Sequence, residues 1–228
     1  INGARRWLQV GVTVQPSELA KLAILVWTAH LAVKKQDRFR SLSQGLLPFF
    51  VIWGFLLLPI LLQPDLSTAF VIGMLGMLVL FHAGARIGHF LFMGLVLVPV
   101  AAMQLSRGFR IDRIQAFMAG EGGASAAGYQ VRQSLIALGS GGATGVGFGE
   151  GRQKFGFLPE PHNDFIFSMI GEEWGFLGTG GLILAYLVLV VVGFRIARRA
   201  PDLFGQLLAV GITSYLALHA VLHMAVGL

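Results

Sequence analysis

The chain has 228 residues, of which 55% are hydrophobic and only 12% are charged, and its mean hydropathy is +0.74. Soluble domains carry about 25% charged residues, so this composition excludes a disordered chain and a water-soluble globule and indicates an integral membrane protein. The lack of cysteine excludes a disulfide framework and cysteine-ligated metals. The net charge of +6 indicates anionic lipid and membrane topology rather than nucleic acid.

Long apolar stretches predict the fold. A membrane-spanning helix needs about 20 mostly apolar residues, and the sequence contains about six such stretches. We therefore predict an all-α, polytopic membrane helical bundle that forms a single membrane domain over residues 1–228. The predicted spans are residues 16–33, 47–63, 67–83, 88–105, 165–194 and 203–228. Because the chain begins with Ile1 and ends within an apolar stretch, we expect an internal piece of a longer membrane protein.

The fifth span has an unusual start and is preceded by a large loop. Glu172, Glu173 and Gly175 interrupt the span and predict a polar or re-entrant start that faces a cavity. Residues 106–164 form a connection much longer than the others, and long loops in compact bundles are usually functional. Its apolar patch at 131–138 predicts a short helix. Its glycine-rich stretch at 139–151 lacks the Gly-Lys-Ser/Thr ending of a P-loop and predicts backbone turns.

Basic residues near the ends of spans predict which side of the membrane each loop occupies. On one side they are packed into short loops, whereas on the other most are spread through the long loop. The denser set indicates the cytoplasmic face, which places residues 106–164 on the extracytoplasmic face. The denser set is Lys34, Lys35, Arg38, Arg40, Arg86, Arg195, Arg198 and Arg199.

Ionisable residues within or beside membrane spans are costly and by default functional. Glu18 and Lys21 are three positions apart on one helix face, where they form either a structural ion pair or the wall of a polar cavity for a charged ligand. Asp65, between the second and third spans, either caps the third helix or faces the same cavity. Trp7 is an aromatic anchor at the membrane interface or has a functional role.

The densest group of polar residues lies just before the fifth span. Two prolines set a rigid approach to His162 and Asp164 at the mouth of that span. Partial desolvation at such a position makes a carboxylate a better proton acceptor, as a general base requires. Arg152 and Lys154 are close enough in sequence to hold a phosphate group there. The alternative is that Asp164 only caps the fifth span and that His162 makes a local hydrogen bond.

Several segments, in order along the whole chain, resemble motifs of the SEDS family, whose members include FtsW, RodA and SpoVE. The segments are GARRWL (3–8), QPSELAKL (15–22), QPDLSTA (63–69), GYQ (128–130) and LPEPHNDFIF (158–167), the last followed by GEE (171–173). Residues 152–154 and the asparagine before Asp164 resemble the FtsW and SpoVE division branch more than RodA.

The resemblance implies a ten-helix fold in the bacterial plasma membrane, of which this chain would hold the fourth to ninth helices. It implies a peptidoglycan glycosyltransferase that polymerises lipid II into glycan strands during cell division or cell-shape wall synthesis and releases the polyprenyl diphosphate. Its implied partners are lipid II, the nascent glycan, a class B penicillin-binding protein and membrane lipid, but not nucleic acid. The resemblance implies no particular cofactor, and it leaves open whether the reaction requires a divalent cation. The alternatives are a lipid II flippase and a non-catalytic scaffold for the penicillin-binding protein.

The resemblance also implies roles for individual residues. Glycosyl transfer from a lipid diphosphate needs a base for the acceptor hydroxyl and cationic groups for the leaving diphosphate. Asp164 matches the essential outward-facing carboxylate of the family and would be that base. No metal ligand is implied. The candidate substrate-binding residues are Arg6, Trp7, Glu18, Lys21, Asp65, Arg152, Lys154 and His162.

Overall fold

The computed structural model describes residues 8–10, 12–39, 41–62, 66–91, 94–95, 126–154 and 165–227. Two short strands near the start of the chain form an antiparallel pair, in which Leu8 lies opposite Val14. A 3₁₀ turn (Gln36–Arg38) and a π-helical turn (Leu42–Leu46) connect the first two helices. In chain order the strands and α-helices are β1 (Leu8–Val10), β2 (Val12–Val14), α1 (Pro16–Lys35), α2 (Leu47–Leu62), α3 (Leu66–His82), α4 (Ala126–Gly141), α5 (Ile166–Arg198) and α6 (Leu203–Gly227).

The helices agree with the membrane spans predicted from the sequence. Within the described residues, three segments are long and apolar enough to cross a membrane: Ser43–Leu62, Ile166–Arg198 and Leu203–Ala225. The apolar part of α3, Ser67–His82, is shorter, and α1 has 20 residues but carries charged side chains within its apolar sequence. Most of the predicted fourth span lies outside the described residues. The prediction of a helical membrane protein is confirmed, whereas the small β1–β2 pair was not predicted.

The chain divides into two compact units, Ile1–Gly94 with Val190–Leu216 and Leu95–Leu189 with Ala217–Leu228. In the first unit, aromatic side chains fix α1 against α2. The fully buried Phe49 ring lies 5.7 Å from the ring of Trp27 and 6.4 Å from that of Trp53. The Trp53 indole N–H donates a 3.1 Å hydrogen bond to the Thr28 hydroxyl, which is also buried. This bond satisfies a buried donor and orients the two helices.

The start of α6 also packs into the first unit. At Gly211, a Cβ atom would lie 2.7 Å from a methyl group of Leu25 on α1 and 3.1 Å from one of Val79 on α3. Small residues at such positions allow membrane helices to approach closely, which gives them dispersion contacts that lipid does not replace. The start of α6 therefore approaches α1 and α3 closely at this glycine.

In the second unit, α4 packs against the first part of α5. The hydroxyl groups of Ser134 and Ser168 form a hydrogen bond, and both residues are fully buried. Next to this bond, the Leu138 side chain packs directly on the backbone of Gly171. The predicted short helix at 131–138 is confirmed within the longer α4.

The orientation in the membrane stays a prediction that cysteine labelling tests. This chain has no cysteine, so Gln36→Cys and Ala126→Cys each give it a single reactive site once any cysteine elsewhere in the full-length protein is replaced. In the full-length protein in intact cells, we expect an impermeant maleimide to label position 126 and not position 36, because basic density places 34–40 in the cytoplasm. Permeabilised cells, in which both positions should react, provide the control. Labelling at 36 alone would reverse the assigned orientation.

Candidate functional site

The described residues include four of the candidate site residues: Glu18, Lys21, Arg152 and Lys154. The other candidates lie outside the described residues, and their roles stay predictions. They are Arg6, Trp7, Asp65, His162 and Asp164.

Glu18 and Lys21 form the ion pair that their spacing on α1 predicts. The Lys21 ammonium lies 2.7 Å from Oε1 of Glu18. The Lys21 side chain is only 5% exposed, whereas that of Glu18 is 50% exposed. The charge of the lysine is therefore enclosed by protein, while the Glu18 side chain is half-exposed.

Tyr215 on α6 joins this pair. Its hydroxyl donates a 3.3 Å hydrogen bond to Oε2 of Glu18, and the Lys21 ammonium lies 5.4 Å from the centre of its ring. Sequence reasoning missed Tyr215 because it lies on a distant helix, and a lone tyrosine in an apolar span carries no local signal. A half-exposed carboxylate beside a tyrosine hydroxyl has the chemistry to form hydrogen bonds with a polar group.

Truncating the two charged residues should have unequal effects on the full-length protein. Glu18→Ala is expected to lower the free energy of unfolding by about 2 kcal/mol, because it removes the carboxylate from a buried ammonium. Lys21→Ala should cost less than about 1 kcal/mol, because the half-exposed Glu18 can be hydrated and keeps its bond to Tyr215. Thermal unfolding in detergent measures both changes.

The double variant separates pairing from independent roles. If Glu18 and Lys21 stabilise one another, removing both should recover part of the loss caused by Glu18→Ala. Additive losses would contradict pairing and would mean that each side chain acts separately.

A break in α5 organises the second unit. At Gly175 the backbone has φ 65° and ψ −160°, which is not helical, so α5 consists of two helical parts. Such a break leaves carbonyl groups at the end of the first part and N–H groups at the start of the second part without helical partners. The predicted interruption of the fifth span is confirmed at this residue, although the helix already begins at Ile166.

The loop that follows α4 supplies the missing hydrogen-bond partners. We call residues 142–154 the docking loop. The N–H groups of Val146 and Gly147 donate to the carbonyls of Glu172 and Glu173, at 3.0 and 3.1 Å. In the opposite direction, Phe176 N–H donates to the Gly142 carbonyl at 2.9 Å. Leu177 N–H donates in the same way to the Ala143 carbonyl at 3.1 Å. The loop therefore replaces helical hydrogen bonds on both sides of the break.

The glycine-rich sequence permits this close docking. Gly145 has φ 84°, and a Cβ atom there would collide with the carbonyl group of Glu173. Only glycine combines this backbone conformation with such a close approach. The prediction of glycine turns is confirmed for this stretch, in which Gly142, Gly145, Gly147 and Gly149 have positive φ.

Two carboxylates of α5 bind the docking loop. Glu172 is only 3% exposed, and its Oε1 accepts the N–H of Arg152 at 2.8 Å. The N–H of Gln153 lies within 3.3 Å of both carboxylate oxygens. Oε1 of Glu173 lies 2.6 Å from the Lys154 ammonium, and Oε2 accepts the N–H of Gly149 at 3.0 Å. Both carboxylates therefore bind the docking loop. The sequence had predicted instead that they face a cavity.

The two cationic residues of the docking loop, Arg152 and Lys154, differ in their contacts and exposure. The Lys154 ammonium contacts Glu173 and donates a 2.6 Å hydrogen bond to the Gly149 carbonyl, and its side chain is 19% exposed. The Arg152 side chain is exposed. Among the described residues, no group of three or more histidine, cysteine, aspartate or glutamate residues has an arrangement that could hold a metal ion.

Known proteins are similar to this chain along essentially its whole length. The profile of the FtsW/RodA/SpoVE family, described as "Cell cycle protein", matches residues 1–228. The "Probable peptidoglycan glycosyltransferase FtsW" of Trichlorobacter lovleyi is 42% identical over 228 residues, which cover 99% of this chain and 60% of that protein. Stage V sporulation protein E of Bacillus subtilis is 41% identical over 227 residues, with 99% and 62% covered.

Solved structures show the same fold. A chain from the structure "Structural coordination of polymerization and crosslinking by a peptidoglycan synthase complex" aligns with a TM-score of 0.72 and 29% identity, over 100% of this chain and 63% of that one. The rod shape determining protein RodA of Thermus thermophilus aligns with a TM-score of 0.57 and 28% identity, over 99% and 58%. The chain spans about 60% of the length of the FtsW protein of T. lovleyi. The chain belongs to the FtsW/RodA/SpoVE family of cell cycle proteins.

Proposed function

We propose that the full-length protein is a peptidoglycan glycosyltransferase that polymerises lipid II into glycan strands. The observation that carries this proposal is the family match over residues 1–228, together with 42% identity to a relative named as a probable peptidoglycan glycosyltransferase. We further propose that it acts in the bacterial plasma membrane, with the docking loop and the rest of residues 106–164 on the extracytoplasmic face. A class B penicillin-binding protein is the proposed partner, in keeping with the similarity to a peptidoglycan synthase complex.

The proposed reaction assigns one proton acceptor and two cationic side chains to this chain. An acceptor sugar hydroxyl attacks the anomeric carbon of the donor, and the bond from that carbon to the diphosphate oxygen breaks. Asp164 takes the proton of the hydroxyl, and the polyprenyl diphosphate leaves with the bonding electron pair. Cationic side chains bind the diphosphate of the substrate and then stabilise the charge that develops on it, and Arg6 and Arg152 are proposed for this role.

The proposed substrate cavity includes the cluster on α1. Glu18 offers a half-exposed carboxylate beside the Tyr215 hydroxyl, a combination that suits hydrogen bonding to sugar or peptide groups of lipid II. Trp7, Asp65 and His162 are proposed as further contacts from their motif positions.

Reconstitution of the purified full-length protein with its penicillin-binding protein and lipid II tests the proposal. We expect glycan strands to form in detergent micelles, where no second compartment exists. Lipid II movement across vesicle membranes without polymerisation in micelles would instead support a flippase, which the charged Glu18–Lys21 pair within α1 also favours. Activity of the penicillin-binding protein that requires this protein, without polymerisation or movement, would support a scaffold.

A further inference from the structure

We propose that Glu172, Glu173 and Lys154 are positioning residues that hold the docking loop in the break of α5, so that Arg152 alone of its two cations contacts the lipid-linked diphosphate. The assignment of Arg152 to a diphosphate rests on the proposed function. The anchoring of the loop rests only on contacts within the second unit.

Glu172 has the features of an anchor rather than of a substrate contact. A buried carboxylate is costly unless hydrogen-bond donors surround it, and the donors here are two consecutive backbone N–H groups of the loop. Two successive amides that point at one carboxylate fix the direction of the backbone at Arg152. The position from which the arginine side chain leaves the loop is therefore set by Glu172.

Lys154 completes the anchor with Glu173. Its ammonium lies between the Glu173 carboxylate and the Gly149 carbonyl, at 2.6 Å from each. The Glu173 side chain is only 12% exposed, so this is a largely enclosed ion pair. The two acceptors and the low exposure of its side chain, 19%, leave Lys154 far less open to a phosphate group than the exposed Arg152.

Arg152 is suited to the opposite role. Its backbone N–H is held by Glu172, while its side chain is exposed. A guanidinium presents several N–H donors in a plane and binds phosphate oxygens in pairs, which an ammonium cannot do. Anchored at its backbone and exposed at its side chain, Arg152 can meet a diphosphate without losing a contact of the loop.

Hydrogen exchange of the full-length protein tests the anchor without any need for catalysis. Glu172→Ala should accelerate exchange of a peptide covering 146–154 by at least about tenfold, because it removes the acceptor of two amides. The matched control is Glu150→Ala, which removes an exposed carboxylate of the same loop and should leave exchange unchanged. Glu172→Gln, which keeps one acceptor oxygen, should give an intermediate rate and covers the case in which the alanine variant folds poorly. Unchanged exchange in both Glu172 variants would overturn the anchor.

Kinetics with lipid II test the division of roles between the cations. Arg152→Gln should raise KM about tenfold and leave loop exchange unchanged, because it removes a charge-assisted contact to the substrate alone. Lys154→Gln should raise KM and also accelerate loop exchange, whereas Lys154→Arg should restore both in part. A rise in KM for Lys154→Gln with unchanged exchange, or an unchanged KM for Arg152→Gln, would overturn the assignment.

A double-mutant cycle shows whether Glu172 acts through Arg152. In the Arg152→Gln background, Glu172→Ala should add no further rise in KM. Additive effects would contradict a positioning role through that arginine. If the protein does not polymerise lipid II at all, the assignment of Arg152 fails with the proposed function, while the exchange experiment still decides whether Glu172 anchors the loop.

Discussion

Asp164→Asn in the full-length protein, assayed with lipid II and the proposed partner penicillin-binding protein, is expected to lower glycan polymerisation by at least about 100-fold. Asparagine keeps the volume and hydrogen-bonding capacity of aspartate but cannot take a proton from the acceptor hydroxyl. The residue that follows it, Phe165, is buried against Met169 and accepts the first helical N–H bond of that turn at 3.1 Å. The chain therefore enters α5 from a fixed point directly after position 164.

A purely structural role of Asp164 predicts the reverse result. Asparagine is as good a helix N-cap as aspartate, so a capping residue would tolerate this substitution with little loss. The thermal midpoint of the variant and its copurification with the penicillin-binding protein should stay close to those of the wild type. Glu150→Gln provides the activity control, because it removes an exposed carboxylate from the same long connection, residues 106–164. Polymerisation near the wild-type rate by Asp164→Asn would remove the general base from the mechanism and shift support to the flippase or the scaffold.

Local sequence patterns predicted those parts of the structure that depend on local physics. Apolar length located α2, α5 and α6, because the thickness of the bilayer sets the length of a span. The three-residue spacing of Glu18 and Lys21 placed them on one face of a helix, where an ion pair was one of two predicted arrangements and is the contact that the structure contains. The polar residues around Gly175 predicted an interruption of the fifth span, which the backbone contains at that residue.

Contacts between distant segments could not be predicted in this way. Nothing near Tyr215 in the sequence indicates that its hydroxyl reaches Glu18, because the packing of α6 on α1 decides that contact. Glu172 and Glu173 were predicted to face a cavity, since carboxylates in an apolar span usually do so. Their partners are backbone N–H groups of a glycine-rich loop, which have no sequence signature, and the Lys154 ammonium.

The break in α5 should make Gly175 the most sensitive glycine of that helix. Gly175→Ala is expected to lower the free energy of unfolding of the full-length protein by about 3 kcal/mol. A backbone at φ 65° and ψ −160° is essentially restricted to glycine, and a Cβ atom there would collide with the backbone of Ala143 and Gly145. Relief of this collision requires the docking loop to leave the break, which removes the partners of the Phe176 and Leu177 amides. Thermal unfolding in detergent, with hydrogen exchange of a peptide covering 176–180, measures both consequences.

Gly180→Ala is the matched control in the same helix. Gly180 lies in the regular second part of α5, and a Cβ atom there would meet no heavy atom of a neighbouring described segment within 4 Å. Alanine there should leave stability unchanged or raise it by up to about 1 kcal/mol, because it lowers the conformational entropy of the unfolded chain. Equal stability of the two variants would mean that α5 tolerates alanine at the break and that the docking loop is not held there by its backbone hydrogen bonds. A loss of stability at Gly175 alone, with faster exchange at 176–180, would show that the stability of the second unit depends on the docking loop lying in the break. The same contacts set the position of Arg152, from which we propose that it binds the diphosphate.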